Sequence, residues 1–240
     1  MSFPTEWQTV RHFFGTPLKV RFPLSLPANQ WIWWGILTWD NSKRHPQRPF
    51  LLRLWTGFWG MVVLLSSEWC HNLAHAAAAH AIGKPMDEIH VYLGMPRIIY
   101  HTLNDTNVTP RQHILRAAAG PLFNLVALAL AWAGRRFTRP DTPSRDIANV
   151  TAITNAAIAG AGMLPIPGID GGAMLKWGLV AKGRSIEQAD RVVQKTNLGL
   201  CGGLAGACVV AARRRKPLIA VIAGLFAALT LAVGMGWIKE

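Results

Sequence analysis

Two histidines four residues apart, His71 and His75, are the side chains in this sequence best suited to metal chemistry. On a helix this spacing offsets two imidazoles by about 40° and about one turn, so both lie on one face. Zinc binds such nitrogens readily and usually takes a third protein ligand. The pair lies within a long apolar run, where ionisable groups are costly and usually functional. The spacing alone also fits two polar side chains at a helix–helix contact.

Asp170 is the carboxylate that the sequence offers as a third ligand. It follows the segment Pro165-Ile166-Pro167-Gly168-Ile169 and is followed by two glycines, Gly171 and Gly172. The prolines stop a helix, and the glycines allow a tight turn and a close approach to another element. An aspartate fixed on such a turn could face the histidines. It could equally cap a helix over residues 172–181.

Glu68 is the only carboxylate in the apolar run that contains the histidine pair. Together with His71 it forms a Glu-x-x-His spacing, which helix-bundle metal sites use. Three roles stay open for Glu68: a metal ligand, a partner of the histidines in a polar cluster, or a general base.

Composition points to a membrane protein. The chain has 240 residues, of which 51% are hydrophobic and only 15% charged, and its mean hydropathy is +0.22. The net charge of +13 could suggest nucleic acid, but the basic residues form short blocks between apolar runs, as at residues 213–216. This distribution is typical of loops that flank membrane spans. We therefore predict a multi-pass integral membrane protein that contacts lipid and not nucleic acid.

The apolar pattern predicts an all-α polytopic membrane fold with about five to six transmembrane helices and a short membrane-associated hairpin. The five stronger spans lie at about residues 51–82, 113–134, 147–164, 196–211 and 217–237. The Trp-rich stretch 31–39 is too short for a full span of roughly 20 residues, so it is an interfacial segment or a shortened sixth span. Residues 18–22 alternate like a short strand, 86–103 suggest a hairpin or re-entrant segment, and 183–195 suggest a polar surface helix.

The histidine pair, the Asp170 turn and several other short motifs follow one another in an order that resembles the site-2 intramembrane metalloprotease family. The resemblance lies in residues 15–20, 71–75, 83–85, 109–111, 119–124 and 163–172. It implies a site-2-protease-like membrane core over residues 50–180. Residues 1–49 would form an N-terminal strand and the Trp-rich segment, and residues 181–240 would form the polar surface helix and a C-terminal transmembrane hairpin.

The resemblance also implies roles for individual residues. His71, His75 and Asp170 would bind zinc, and Asn124 would hold the substrate strand or the oxyanion. Asn124 could equally form an interhelical hydrogen bond.

Two polar positions depart from the family pattern, and they bear on catalysis. Asn72 stands where the family has the glutamate that activates zinc-bound water, and Gly162 replaces an asparagine before the proline motif. An amide can orient a water molecule but cannot take its proton. We therefore expect a catalytically impaired homologue, with or without zinc, that binds transmembrane partners or serves as a subunit of a membrane complex. The alternatives are an active zinc endopeptidase with Glu68 as a displaced base, and a transporter-like bundle with a polar relay.

Overall fold

The protein is mainly helical, with one small sheet near its N-terminus. The computed structural model describes residues 6–237, so residues 1–5 and 238–240, which begin and end the predicted terminal regions, lie outside the described residues. The elements are β1 (Gln8–Phe13), β2 (Thr16–Val20), α1 (Ala28–Arg44), α2 (Phe50–Ala81), β3 (Glu88–Tyr92), β4 (Met95–Ile99), α3 (Pro110–Gly134), α4 (Pro143–Gly162), α5 (Asp170–Val180), α6 (Ile186–Arg213) and α7 (Pro217–Gly234).

The chain divides into two compact units. The first comprises the described residues up to Asn104 together with Ala119–Ala161, and the second comprises Asp105–Ala118 and the described residues from Gly162 onward. The first unit therefore holds the sheet, α1, α2, most of α3 and most of α4. The second holds the first turns of α3 together with α5, α6 and α7.

The sheet of the first unit corrects the expectation of an all-α fold. Its strand order is β1-β2-β3-β4, with β2 and β3 parallel and the two outer pairs antiparallel. The predicted hairpin over residues 86–103 is confirmed as β3 and β4. The predicted strand over residues 18–22 begins two residues earlier, at Thr16. A buried cluster that includes Leu18, Ile89 and Ala76 packs the sheet against the end of α2.

In the first unit α1 and α2 pack closely because α2 has glycines at the contact. A Cβ on Gly57 would lie 2.2 Å from Thr38 Oγ1, and one on Gly60 would lie 3.2 Å from Leu37 Cδ1. The Trp-rich stretch 31–39 belongs to α1, whose 17 residues make it about 25 Å long. Asp146 at the start of α4 accepts a hydrogen bond from Arg48 at 2.5 Å and so ties α4 to the α1–α2 connection.

In the second unit α6 is longer than the sequence suggested. It runs for 28 residues without a break, so the expected polar surface helix and the fourth span form one helix. A capping box between Ser185 and Gln188 fixes its start. Gly234 allows α7 to approach α6, because a Cβ there would lie 2.5 Å from Leu198 Cδ2. Lys176 on α5 forms an ion pair with Asp190 on α6 at 2.8 Å.

Three helices of the described chain are long and apolar enough to cross a membrane. They are Phe50–Ala81, Pro110–Phe137 and Ile186–Arg213, and a shorter apolar helix covers Ile219–Gly234. The second of these consists of α3 and the 3-10 turn Arg135–Phe137 that continues it. At 1.5 Å per residue the first of these is about 48 Å long, well above the roughly 30 Å of a bilayer core. The chain is therefore an integral membrane protein, and the count of five to six spans stays a prediction.

Candidate metal centre

The two histidines of α2 direct their ligand atoms at one point. His71 and His75 are both buried, and their Nε2 atoms lie 3.1 Å apart. Two imidazoles bound to one tetrahedral zinc, with Zn–N bonds of 2.0–2.1 Å, hold their nitrogens about 3.3 Å apart. The pair therefore already has nearly the separation that a shared zinc ion requires.

Gly120 on α3 provides the room for this arrangement. A Cβ at this position would lie 2.3 Å from His75 Nε2 and 2.6 Å from His71 Cε1. Any side chain at Gly120 would overlap both rings. The glycine therefore allows α3 to pass directly against the ligand atoms.

A chain of neutral hydrogen bonds, which we call the amide network, links His71 to Asn124, Asn155 and Ser67. Asn124 Oδ1 lies 2.5 Å from His71 Nδ1, and Asn124 Nδ2 donates to Asn155 Oδ1 at 2.7 Å. Asn155 Nδ2 donates to Ser67 Oγ at 3.0 Å. Both asparagines are fully buried, so the network joins α2, α3 and α4 within the first unit.

The direction of the amide network fixes the protonation of His71. Asn155 Nδ2 also lies 2.9 Å from the backbone carbonyl of Thr151, which can only accept, so the amide nitrogen of Asn155 must point there. Asn155 Oδ1 is then the acceptor for Asn124 Nδ2, and Asn124 Oδ1 accepts from His71 Nδ1. His71 therefore carries its proton on Nδ1 and presents the lone pair of Nε2, the form that binds a metal.

Asp170 completes a three-residue ligand group. One ligand atom from each of His71, His75 and Asp170 lies within 4.8 Å of the others. Asp170 is the first residue of α5, and the residue in the N-cap position is Ile169. The alternative role of Asp170 as the N-cap of this helix is therefore wrong.

The turn that carries Asp170 requires its two glycines. A Cβ on Gly171 would lie 2.2 Å from the carbonyl oxygen of Met163, and one on Gly172 would lie 2.1 Å from that of Ile166. On α6, Asn197 donates from Nδ2 to the carbonyl of Pro165 at 2.6 Å. These contacts hold the proline turn within the second unit.

Asn72 does not offer a base. Its side chain is buried, and its Nδ2 donates to the backbone carbonyl of Glu68 in the same helix at 3.0 Å. The described ligand group does not include Glu68. The roles of Glu68 as ligand, base or cluster partner all stay predictions.

Sequence reasoning missed Asn155, Ser67 and the steric role of Gly120. Asn155, near the middle of the apolar run 147–164, was an available signal, because polar groups at membrane depth are usually functional. For Asn124 the expected interhelical hydrogen bond is confirmed, and its role toward a substrate stays a prediction.

A second polar cluster, the Glu88 cluster, lies on the sheet and consists of Glu88, Lys19, His90 and His101. Glu88 Oε1 accepts from Lys19 Nζ at 2.6 Å and lies 3.3 Å from His101 Nε2. Glu88 Oε2 lies 2.5 Å from His90 Nε2. The hydrogen bond from Lys19, helped by His90, lowers the pKa of Glu88 to about 2 against the opposing effect of burial.

Comparisons with known proteins identify the fold. No protein-family model matches the chain, and no curated protein sequence is similar to it. Among solved structures, the chain is similar to the Site-2 Protease from Methanocaldococcus jannaschii, with a TM-score of 0.53 and 11% sequence identity over 98% of this chain and 97% of that chain. At such low identity the likeness concerns the fold alone, and the chain has a site-2-protease-like membrane fold.

Proposed function

We propose that this chain is a catalytically impaired site-2-protease-like protein of the bacterial inner membrane. It crosses the membrane several times and binds a transmembrane partner, or serves as a structural subunit of a membrane complex. In this proposal its polar centre holds a zinc ion through His71, His75 and Asp170 and stabilises the helix packing instead of cleaving peptides.

The observation that carries the proposal is the state of Asn72. A zinc ion in such a centre can polarise a carbonyl and lower the pKa of a bound water, but peptide hydrolysis also needs a group that takes and returns a proton. Asn72 is an amide with no useful basicity, and its nitrogen is already bonded to the carbonyl of Glu68. The side chain at the base position therefore forms a hydrogen bond within its own helix.

The retained centre supports zinc binding. The 3.1 Å separation of the two Nε2 atoms is close to the separation of two nitrogens bound to one zinc ion. The amide network places the proton of a neutral His71 on Nδ1, which leaves the lone pair of Nε2 for a metal. Three protein ligands leave one zinc position open, as at catalytic sites, so the proposed impairment rests on the missing base at Asn72 and not on the ligand set.

Zinc content and peptide cleavage, measured on the same preparation, test the proposal. The full chain purified in detergent should contain about one zinc per chain and should not cleave transmembrane substrates. His71→Ala should lose the zinc because it removes one ligand, whereas Leu125→Ala, a substitution on the exposed side of α3, should keep it. Absence of zinc from the unmodified chain, with and without added metal, would refute the zinc centre.

The active-protease alternative makes the opposite prediction for Glu68. If Glu68 acts as a displaced base, the unmodified chain cleaves substrate and Glu68→Gln abolishes turnover while zinc content stays constant. Under our proposal both proteins are inactive and bind equal amounts of zinc.

A further inference from the structure

The polar first turns of α6 carry a basic groove. Arg184, Gln188, Arg191, Val192 and Lys195 line it, and its volume is about 340 Å³. Positions 188, 191 and 195 recur on α6 at intervals of three and four residues, so their side chains share one helix face, and Arg184 joins them from the loop just before the N-cap Ser185. The groove therefore gathers three cationic side chains above one apolar residue, Val192.

The three cations of the groove are not neutralised by carboxylates. Among the described residues, Arg184, Arg191 and Lys195 have no ion pair within 4 Å, whereas Asp190 is occupied by Lys176 at 2.8 Å. Glu187 lies one turn before Arg191 and interacts with it electrostatically, so the groove carries three cations and has one carboxylate near it, which itself accepts a hydrogen bond from Ser185 Oγ at 2.7 Å. The groove thus has a net positive charge, and the helix N-terminus adds to it.

The length of the apolar part of α6 indicates at which level of the bilayer the groove lies. Residues 198–212 are uncharged and cover about 22 Å, which is less than the roughly 30 Å of a bilayer core. The basic block at residues 213–216 marks the other end of the span. The helix turns before residue 198 therefore span the rest of the bilayer core. This brings Lys195 and Arg191 to the headgroup layer.

We propose that this groove binds the phosphate group of an anionic phospholipid. Arg184, Arg191 and Lys195 donate to the phosphate oxygens, and an acyl chain begins along Val192. Its depth favours a lipid over an acidic protein segment or a soluble anion, because the groove opens where headgroups lie. The proposal is independent of the metal centre.

Native mass spectrometry of the delipidated full chain tests this site. Phosphatidylglycerol should bind with one tight site, and phosphatidylcholine should bind at least tenfold more weakly. Replacing the three cations with glutamine should weaken that site by about a hundredfold, at roughly fivefold per cation. Arg213→Gln, Arg214→Gln and Arg215→Gln together remove the same charge from the other end of α6 and should change the affinity less than threefold.

Other outcomes would overturn the proposal. Equal binding of the two lipids, or an equal loss in the control at residues 213–215, would show only general attraction to the membrane surface. Displacement of the lipid by millimolar inorganic phosphate would indicate a soluble-anion site. If the glutamine variant does not fold, a variant with Arg184→Lys and Arg191→Lys keeps the charge and should retain most of the lipid; loss of the tight site in this folded variant would also contradict the proposal.

Discussion

The amide network and the Glu88 cluster lie in the same unit of the protein but differ in burial and in the charge of their side chains. The amide network is buried between α2, α3 and α4 and uses only neutral donors and acceptors. The Glu88 cluster lies on the sheet and uses a carboxylate, an ammonium group and two histidines. Burial decides the choice, because a charge in an apolar environment is expensive unless fully paired, whereas a satisfied amide is not.

The same contrast bears on the proposed function. A buried glutamate next to the histidines would need a metal ion to compensate its charge. Asn72 is a neutral group whose nitrogen is bonded to a backbone carbonyl. In our proposal the centre keeps its ligands and lacks a residue that moves a proton.

The largest effect should come from filling the space beside the ligands. Gly120→Ala places a Cβ 2.3 Å from His75 Nε2, so the rings must separate and zinc content should fall to near zero. Gly134→Ala in the same helix meets no atom within 4 Å and should leave zinc unchanged. Elemental analysis of the two purified variants compares them; full zinc in Gly120→Ala would contradict the geometry.

A smaller effect is expected from removing the acceptor of His71. Asn124→Ala leaves Nδ1 without its partner and frees the ring, so zinc affinity should fall by about 10- to 100-fold. Competition with a chelator measures this change. An unchanged affinity would mean that the amide network does not orient the ligand.

Asn155→Ala should have a weaker effect, because it removes the second member of the amide network and leaves Asn124 in contact with His71. We expect a loss of zinc affinity of roughly threefold to tenfold. Asn149→Ala, one to two turns earlier on α4 and outside the network, should have no effect. Equal losses in the two variants would indicate a general weakening of α4.

The smallest effect should appear in the Glu88 cluster, and it should depend on pH. Because the pKa of Glu88 is held at about 2, below its ordinary 4.5, its ion pair stabilises the fold above about pH 4.5. This stabilisation disappears as the pH falls toward 2. Glu88→Gln should lower stability by about 1 kcal/mol at pH 6 and by progressively less toward pH 2.

Thermal unfolding in detergent at pH 6 and pH 3 measures the Glu88 difference. Zinc content should stay constant, since this cluster lies on the sheet, away from the amide network. Asp40→Asn, which removes an exposed ion pair with Arg44, serves as the control. A loss that grows as the pH falls would contradict the assignment.

The sequence indicated the candidate ligands better than the residues around them. The histidine pair and the Asp170 turn are local motifs, so they could be singled out from spacing and backbone chemistry, but the ligand set itself came from the family resemblance and stays a prediction. The amide network depends on which faces of α2, α3 and α4 meet, and no local pattern encodes that. Strand β1 was missed because Gln8–Phe13 is mostly polar and exposed, and α6 was divided because its polar and apolar halves read as separate elements.

The most direct test compares the unmodified chain with Asn72→Glu, using one zinc-loaded preparation of each and one transmembrane substrate. The central claim of the proposed function is that the ligands are retained and that the missing base at Asn72, more than the change at Gly162, prevents cleavage. It predicts one zinc in both proteins, no cleavage by the unmodified chain, and measurable cleavage by Asn72→Glu. Zinc-dependent cleavage by the unmodified chain, at a rate equal to that of Asn72→Glu, would contradict the claim.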